Sequence, residues 1–121
     1  MKIRLLALII FVGCVNHDVR DPAKDVAMQV ACDRCDKTVS EMFWFQELVD
    51  KTDEEETWKG TIYAGILDGS PIILHQPFLA SCMACHVYDC EGNRLTLTSQ
   101  QTEIVVEQMT ALNQVYSTMP E

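Results

Sequence analysis

Ser81 to Arg94 reads Ser-Cys-Met-Ala-Cys-His-Val-Tyr-Asp-Cys-Glu-Gly-Asn-Arg, and these fourteen residues hold three of the six cysteines of the chain. No other stretch limits the fold as strongly. Cysteines this dense ligate a metal, attach a cofactor or close disulfides, and each use dictates a different local backbone. The remaining cysteines are Cys14, Cys32 and Cys35. Which chemistry applies depends on the redox compartment, and the N-terminus bears on that.

Met1-Lys2-Ile3-Arg4 is a short basic segment, and Leu5 to Val12 is an apolar run of eight residues, far below the roughly 20 that a membrane-crossing helix needs. This is the pattern of a signal peptide. Phe11-Val12-Gly13-Cys14 resembles the lipobox of bacterial lipoproteins, in which the cysteine is lipidated and becomes the new N-terminus; Phe11 stands where an aliphatic residue is usual. The alternative is a secreted protein in which Cys14 carries nothing. The resemblance implies a membrane anchor on Cys14, in the cell envelope and facing the periplasm or exterior, since two or more acyl chains anchor stably. Loss of residues 1–13 takes Lys2 and Arg4 away, leaving seven basic against 18 acidic residues and a net charge of −11. Such a surface repels phosphates, so nucleic acid is excluded as a partner. Anionic lipid is repelled as well, and the anchor must supply the membrane affinity.

The 121 residues have room for one domain. The expected organisation is a signal peptide over 1–13, a tether with its Cys-x-x-Cys pair over 14–37 and a single α+β domain over 38–121. Val15 to Lys24 is polar, and Asp21-Pro22 is placed to cap and open a short helix running to Ala31. Thr38-Val-Ser-Glu41 has capping-box spacing, and Met42, Phe45, Leu48 and Val49 make an apolar stripe behind it. The acidic run Thr52 to Glu56 ends that helix as a solvated loop. A calcium site there would need a glycine-turn loop pattern, which is missing.

Alternation then marks strands. Trp58, Gly60, Ile62, Ala64 and Ile66 share a face, and Pro71 to Phe78 follows with Ile72, Leu74 and Phe78 on a common face. A two-residue Asp68-Gly69 turn would split the apolar set between both faces of the sheet. A three-residue loop, Leu67-Asp68-Gly69, keeps one face apolar and is the expected register. It places His75 on the opposite, solvated face beside Tyr63, and Pro77 at a strand end or edge. A third strand over about Ala84 to Cys90 turns through Gly92-Asn93, of type II′, with Glu91 opposite Arg94 and Leu95 and Leu97 on the strand that returns. A helix over about Gln101 to Ser117, with the stripe Val105, Met109, Leu112 and Tyr116, completes the chain. The expected fold is a small four-stranded antiparallel sheet of two hairpins, with an N-terminal and a C-terminal helix on one face.

Ser40-Glu-Met-Phe-Trp-Phe-Gln-Glu-Leu-Val49, Gly60-Thr-Ile-Tyr63 and the cysteine-flanked Val87-Tyr-Asp-Cys-Glu-Gly-Asn93 together resemble small lipoproteins of unknown function from Bacteroidota. The resemblance covers Ser40 to Leu97 and implies the same element order and envelope address without implying a reaction. The long C-terminal helix is not part of that family's pattern.

Four uses of the cysteines compete. Cys82-Met-Ala-Cys85-His86 fits the pattern of c-type haem attachment, two thioethers and an iron ligand, but His86 falls in a strand-like run without an evident haem pocket. Cys32, Cys35, Cys82 and Cys85 form two donor pairs of zinc-ribbon type, although their separation is long and an oxidising compartment favours disulfides. A thioredoxin-like pair needs a helix N-terminus behind it to depress a thiol pKa, and neither pair has one in a βαβ setting. Disulfides are the preferred reading. With Cys14 lipidated, Cys32, Cys35, Cys82, Cys85 and Cys90 allow at most two bridges and leave one thiol over. Cys85 and Cys90 face opposite ways on a regular strand and should not pair. A bridge from the Cys32/Cys35 segment to the Cys82/Cys85 segment would close a loop of about 50 residues and contribute ~2 to 4 kcal/mol. His17, His75 and His86 are too scattered for a catalytic set. The sequence therefore points to a non-catalytic lipoprotein domain without a cofactor that binds an envelope protein or has a structural role. The alternatives are a redox or haem electron carrier using Cys82, Cys85 and His86, and a four-cysteine zinc domain.

Overall fold

The computed structural model describes residues 21–118. Helix α1 (Pro22–Cys35) leads into a 3-10 turn (Val39–Met42) and helix α2 (Phe43–Glu54), and a second 3-10 turn (Glu56–Trp58) enters the sheet. Strands β1 (Gly60–Leu67), β2 (Ser70–Pro77) and β3 (His86–Tyr88) follow, then helix α3 (Ser99–Glu107), a 3-10 turn (Ala111–Asn113) and strand β4 (Gln114–Ser117). All pairings are antiparallel, in the order β3-β2-β1-β4.

The α1 helix is capped as its sequence suggests, the Asp21 carboxylate accepting from the Ala23 N–H at 3.0 Å, but it runs on to Cys35 and belongs to the domain rather than to a tether. Ala27, Met28, Ala31, Cys32 and Cys35 recur at helical spacing and are buried. Small side chains make this stripe easy to overlook. They also let the helix lie close to its neighbours, and Lys24 ties it to α2 through Asp50 and Asp53 at 3.2 and 3.1 Å. Glu41 reaches back to the Thr38 N–H at 3.0 Å as the capping box requires. Behind it Met42, Phe45, Leu48 and Val49 are all buried.

The first hairpin overturns the expected register. Leu67 pairs with Ser70, Ala64 with Ile73 and Ile62 with His75, so the turn is the two-residue Asp68-Gly69. Both central residues have positive φ, 52° and 82°, as a type I′ turn demands. The physical reason is that neither sheet face is open to water. Ile62, Ala64, Ile73 and Tyr116 face α1 and α2, while Leu67, Ile72, Leu74 and Val87 face Val105 of α3 and the chain around Leu95 and Leu97. The expected three-residue loop rests on a single apolar face. With two, splitting the apolar set is what the fold needs, and the terminal helices cover opposite faces rather than one.

Three further expectations change. Arg94 makes only an isolated bridge to Tyr88, so the second hairpin adds no full strand and the fourth strand comes from Gln114–Ser117. Its loop is not the Gly92-Asn93 turn: Gly92 N–H bonds to Asp89 O, Asp89 N–H bonds to Asn93 O, and Gly92 takes φ 86°. Cys90, Glu91 and Gly92 thus form a three-residue loop, and Glu91 pairs with Lys37 at 2.9 Å instead of with Arg94. The C-terminal helix stops at Glu107 because the Gln108 amide turns inward, accepting from Ile66 N–H and donating to Ile66 O, both at 2.7 Å. Leu112 is 94% exposed, and Tyr116 lies on β4 against the other core.

Candidate functional site

The register that the Asp68-Gly69 turn imposes brings His75 under helix α2. It lies opposite Ile62 on one side and His86 on the other and is fully buried, a reversal of its expected solvated position. A buried imidazole must satisfy both nitrogens, and this one does. Nε2 lies 2.7 Å from the Trp58 backbone oxygen, and Nδ1 lies 3.0 Å from Nδ1 of His86. The Trp58 carbonyl only accepts, so His75 Nε2 carries the proton; neutral His75 then accepts at Nδ1 from His86 Nδ1–H. His86 Nε2 is left as the acceptor end of the relay.

The two imidazoles are nearly parallel, at 7°, and the indole of Trp58 stacks over both, with ring centroids 4.8 Å from His75 and 4.5 Å from His86. The Lys51 ammonium sits 4.0 Å from the centre of the Trp58 ring. Burial pushes His75 down to about 4, outweighing the Trp58 carbonyl that favours its charged form; His86 and Lys51 add to the fall. Burial also lowers His86, helped by Arg94 and Lys51. A second proton on His75 would confront the His86 N–H across the short Nδ1 contact. The layer is built to be neutral.

Beside it, helix α2 and the Cys90 loop enclose a cleft of about 190 Å³ walled by Trp44, Trp58 and Tyr88, with Glu47 and Lys51 on the helix side. Trp44 is anchored there by its indole N–H to Cys90 O at 3.1 Å. The absent Cβ of Gly92 gives the indole room: a methyl group would come within 2.6 Å of Trp44 Cγ.

The structure separates the cysteines that the sequence grouped. Cys35 at the end of α1 is bonded to Cys90 in the loop after β3, across 55 residues, so the staple reaches the Cys90 loop and not the Cys82/Cys85 segment. Cys82 and Cys85 are bonded to each other. The four-cysteine zinc set is therefore not assembled, and among the described residues no three metal-ligating side chains converge. The two thioether positions of the haem reading bind one another, and His86 spends its Nδ1 on His75. No cysteine among the described residues is free, which corrects the expected leftover thiol. Cys14 lies outside the described residues. Cys85 and Cys90 do not pair, in line with their spacing.

Sequence reasoning missed the imidazole pair. The cue was Asp68-Gly69, the strongest short hairpin signal there is, which places His75 on the Ile62 face. No known protein family matches the chain, and neither the curated proteins nor the solved structures contain a significant match to it.

Proposed function

We propose that this chain is an exported, disulfide-stapled domain with a non-catalytic binding or structural role in the cell envelope. The observation that supports it most is the buried Cys35–Cys90 bridge between distant segments, a feature kept in oxidising compartments and rare in the cytosol. The basic start and the apolar run Leu5 to Val12 offer the route there. The lipobox-like Phe11-Val12-Gly13-Cys14 and the resemblance to Bacteroidota lipoproteins over Ser40 to Leu97 favour the same address. No helix among the described residues is long and apolar enough to cross a membrane. The imidazole pair fits a structural role in this reading, since the buried His75 spends both ring nitrogens, one on His86 and one on the Trp58 carbonyl.

Export of the full-length chain in a Gram-negative host tests the proposal by fractionation and by mass spectrometry of the N-terminal peptide. The expected result is an exported protein in which Cys35 and Cys90 are oxidised; a first residue that is a lipid-bearing Cys14, with release from the membrane by Cys14→Ser, would add the anchor that the lipobox-like sequence suggests. The Cys14 sulfur cannot both carry a thioether lipid and bridge another cysteine. A soluble exported protein with Cys14 in a disulfide would overturn the anchor, and a cytosolic protein with reduced Cys35 and Cys90 would overturn the whole reading.

A further inference from the structure

The Cys82–Cys85 bond does little for the fold. It spans three residues, and so short a bridge removes little chain entropy from the unfolded state. Its loop is held by other means. Gln76 of β2 clamps it from the side, accepting from the Ala84 N–H and donating to Cys82 O, both at 2.9 Å. Arg94 holds the far end by donating to Cys85 O at 2.9 Å. Cys82 is exposed and Cys85 half-buried, whereas Cys35 and Cys90 are both buried. Inside the four-residue ring Ala84 takes φ 56°, a left-handed conformation unfavourable for a residue with a Cβ. Bridges that are exposed or strained are the labile ones.

We infer that Cys82–Cys85 is an exchangeable disulfide that accepts two electrons from a dithiol partner, with Cys82 the sulfur attacked and Arg94 positioned to stabilise the departing Cys85 thiolate. A partner thiolate attacks Cys82 Sγ, the Cys82–Cys85 bond breaks, and a mixed disulfide forms as the Cys85 thiolate leaves. The partner's second thiolate then attacks its own sulfur in the mixed disulfide and releases Cys82. The partner ends as a disulfide, its two electrons reside on Cys82 and Cys85, and its two protons convert these to thiols. The guanidinium against the Cys85 backbone supplies the positive charge that lowers a thiol pKa. The domain is a stoichiometric acceptor and performs no turnover, so its non-catalytic role stands whether or not exchange occurs.

The test uses the full exported chain, dithiothreitol as the dithiol probe and timed alkylation read by mass spectrometry. Expected is alkylation of Cys82 and Cys85 while Cys35–Cys90 stays oxidised and the near-ultraviolet signal of Trp44 and Trp58 is unchanged, with Arg94→Gln opening several-fold more slowly at neutral pH. In Cys82→Ser, the free Cys85 thiol should ionise below the ordinary ~8.5; adding Arg94→Gln should raise its midpoint, and Arg94→Lys in its place should restore part of the fall. Opening of Cys82–Cys85 only together with Cys35–Cys90 would overturn the inference. So would an ordinary Cys85 midpoint that ignores residue 94.

Discussion

Two sulfur bridges in one small domain differ in what they hold together. Cys35–Cys90 joins the end of the first helix to a loop 55 residues away, is buried at both ends, and has Trp44 hydrogen-bonded to the Cys90 carbonyl. Cys82–Cys85 closes a loop on itself, stands partly in solvent, and is bypassed by the Gln76 clamp. Loop-closure entropy places the first at about 4 kcal/mol and the second at roughly 1 to 2 kcal/mol. A bridge's worth follows the length of chain it closes and the packing around it, and the chemistry of its sulfurs follows their exposure.

The contrast can be broken at several points. The largest effect is expected from Cys35→Ala with Cys90→Ala, which should lose about 4 kcal/mol in urea unfolding; a loss below ~1 kcal/mol would remove the distinction between the bridges. Acid should weaken the stapled side next. His75 is held at about 4 against 6.5 for the free side chain, so the unfolded chain binds the extra proton first. The stability it contributes is present above pH 6.5 and drains away toward pH 4, by up to ~1.4 kcal/mol per pH unit. His75→Gln should flatten that slope relative to the parent chain, and equal slopes in the two proteins would sink the assignment.

Gly92→Ala probes the packing around the Cys90 end. Its methyl group would meet Trp44 at 2.6 Å in a left-handed conformation, at an expected cost of about 2 to 3 kcal/mol. Gly69→Ala has a similar φ but nothing within 4 Å and should cost only about 1 kcal/mol. Thermal unfolding that ranks the two the other way would contradict the packing described here. Cys82→Ser with Cys85→Ser should cost far less than loss of the long bridge, no more than roughly 2 kcal/mol by loop closure, and a loss equal to that of the Cys35/Cys90 variant would show that the short bridge is structural after all.

The hairpins show how far a sequence can be read. Both loop lengths were legible in their residues, Asp68-Gly69 as a two-residue turn and Gly92 as the left-handed third residue of a longer loop, yet each was assigned the other's length. The error at the first hairpin came from a global premise, one apolar face, overriding a local signal. It carried His75 to solvent and hid its contacts with His86 and Trp58. The C-terminal error was of another kind. Val105 and Met109 obey a helical period, and Leu112 and Tyr116 extend it by coincidence, because the Gln108 clamp on Ile66 joins residues too far apart in sequence for periodicity to register.

What the sequence determined by itself are the features whose cause lies within a few residues: the Asp21 and Thr38-to-Glu41 helix starts, the buried stripe from Met42 to Val49, the alternation of the two long strands and the Cys85/Cys90 mismatch. The tertiary structure alone decided which faces are covered, which strand completes the sheet, that Cys35 meets Cys90, and that two histidines eleven residues apart share one hydrogen bond. Capping and alternation are set by short-range backbone geometry. Face, partner and pairing follow from burying two apolar surfaces at once, a condition that no single segment carries.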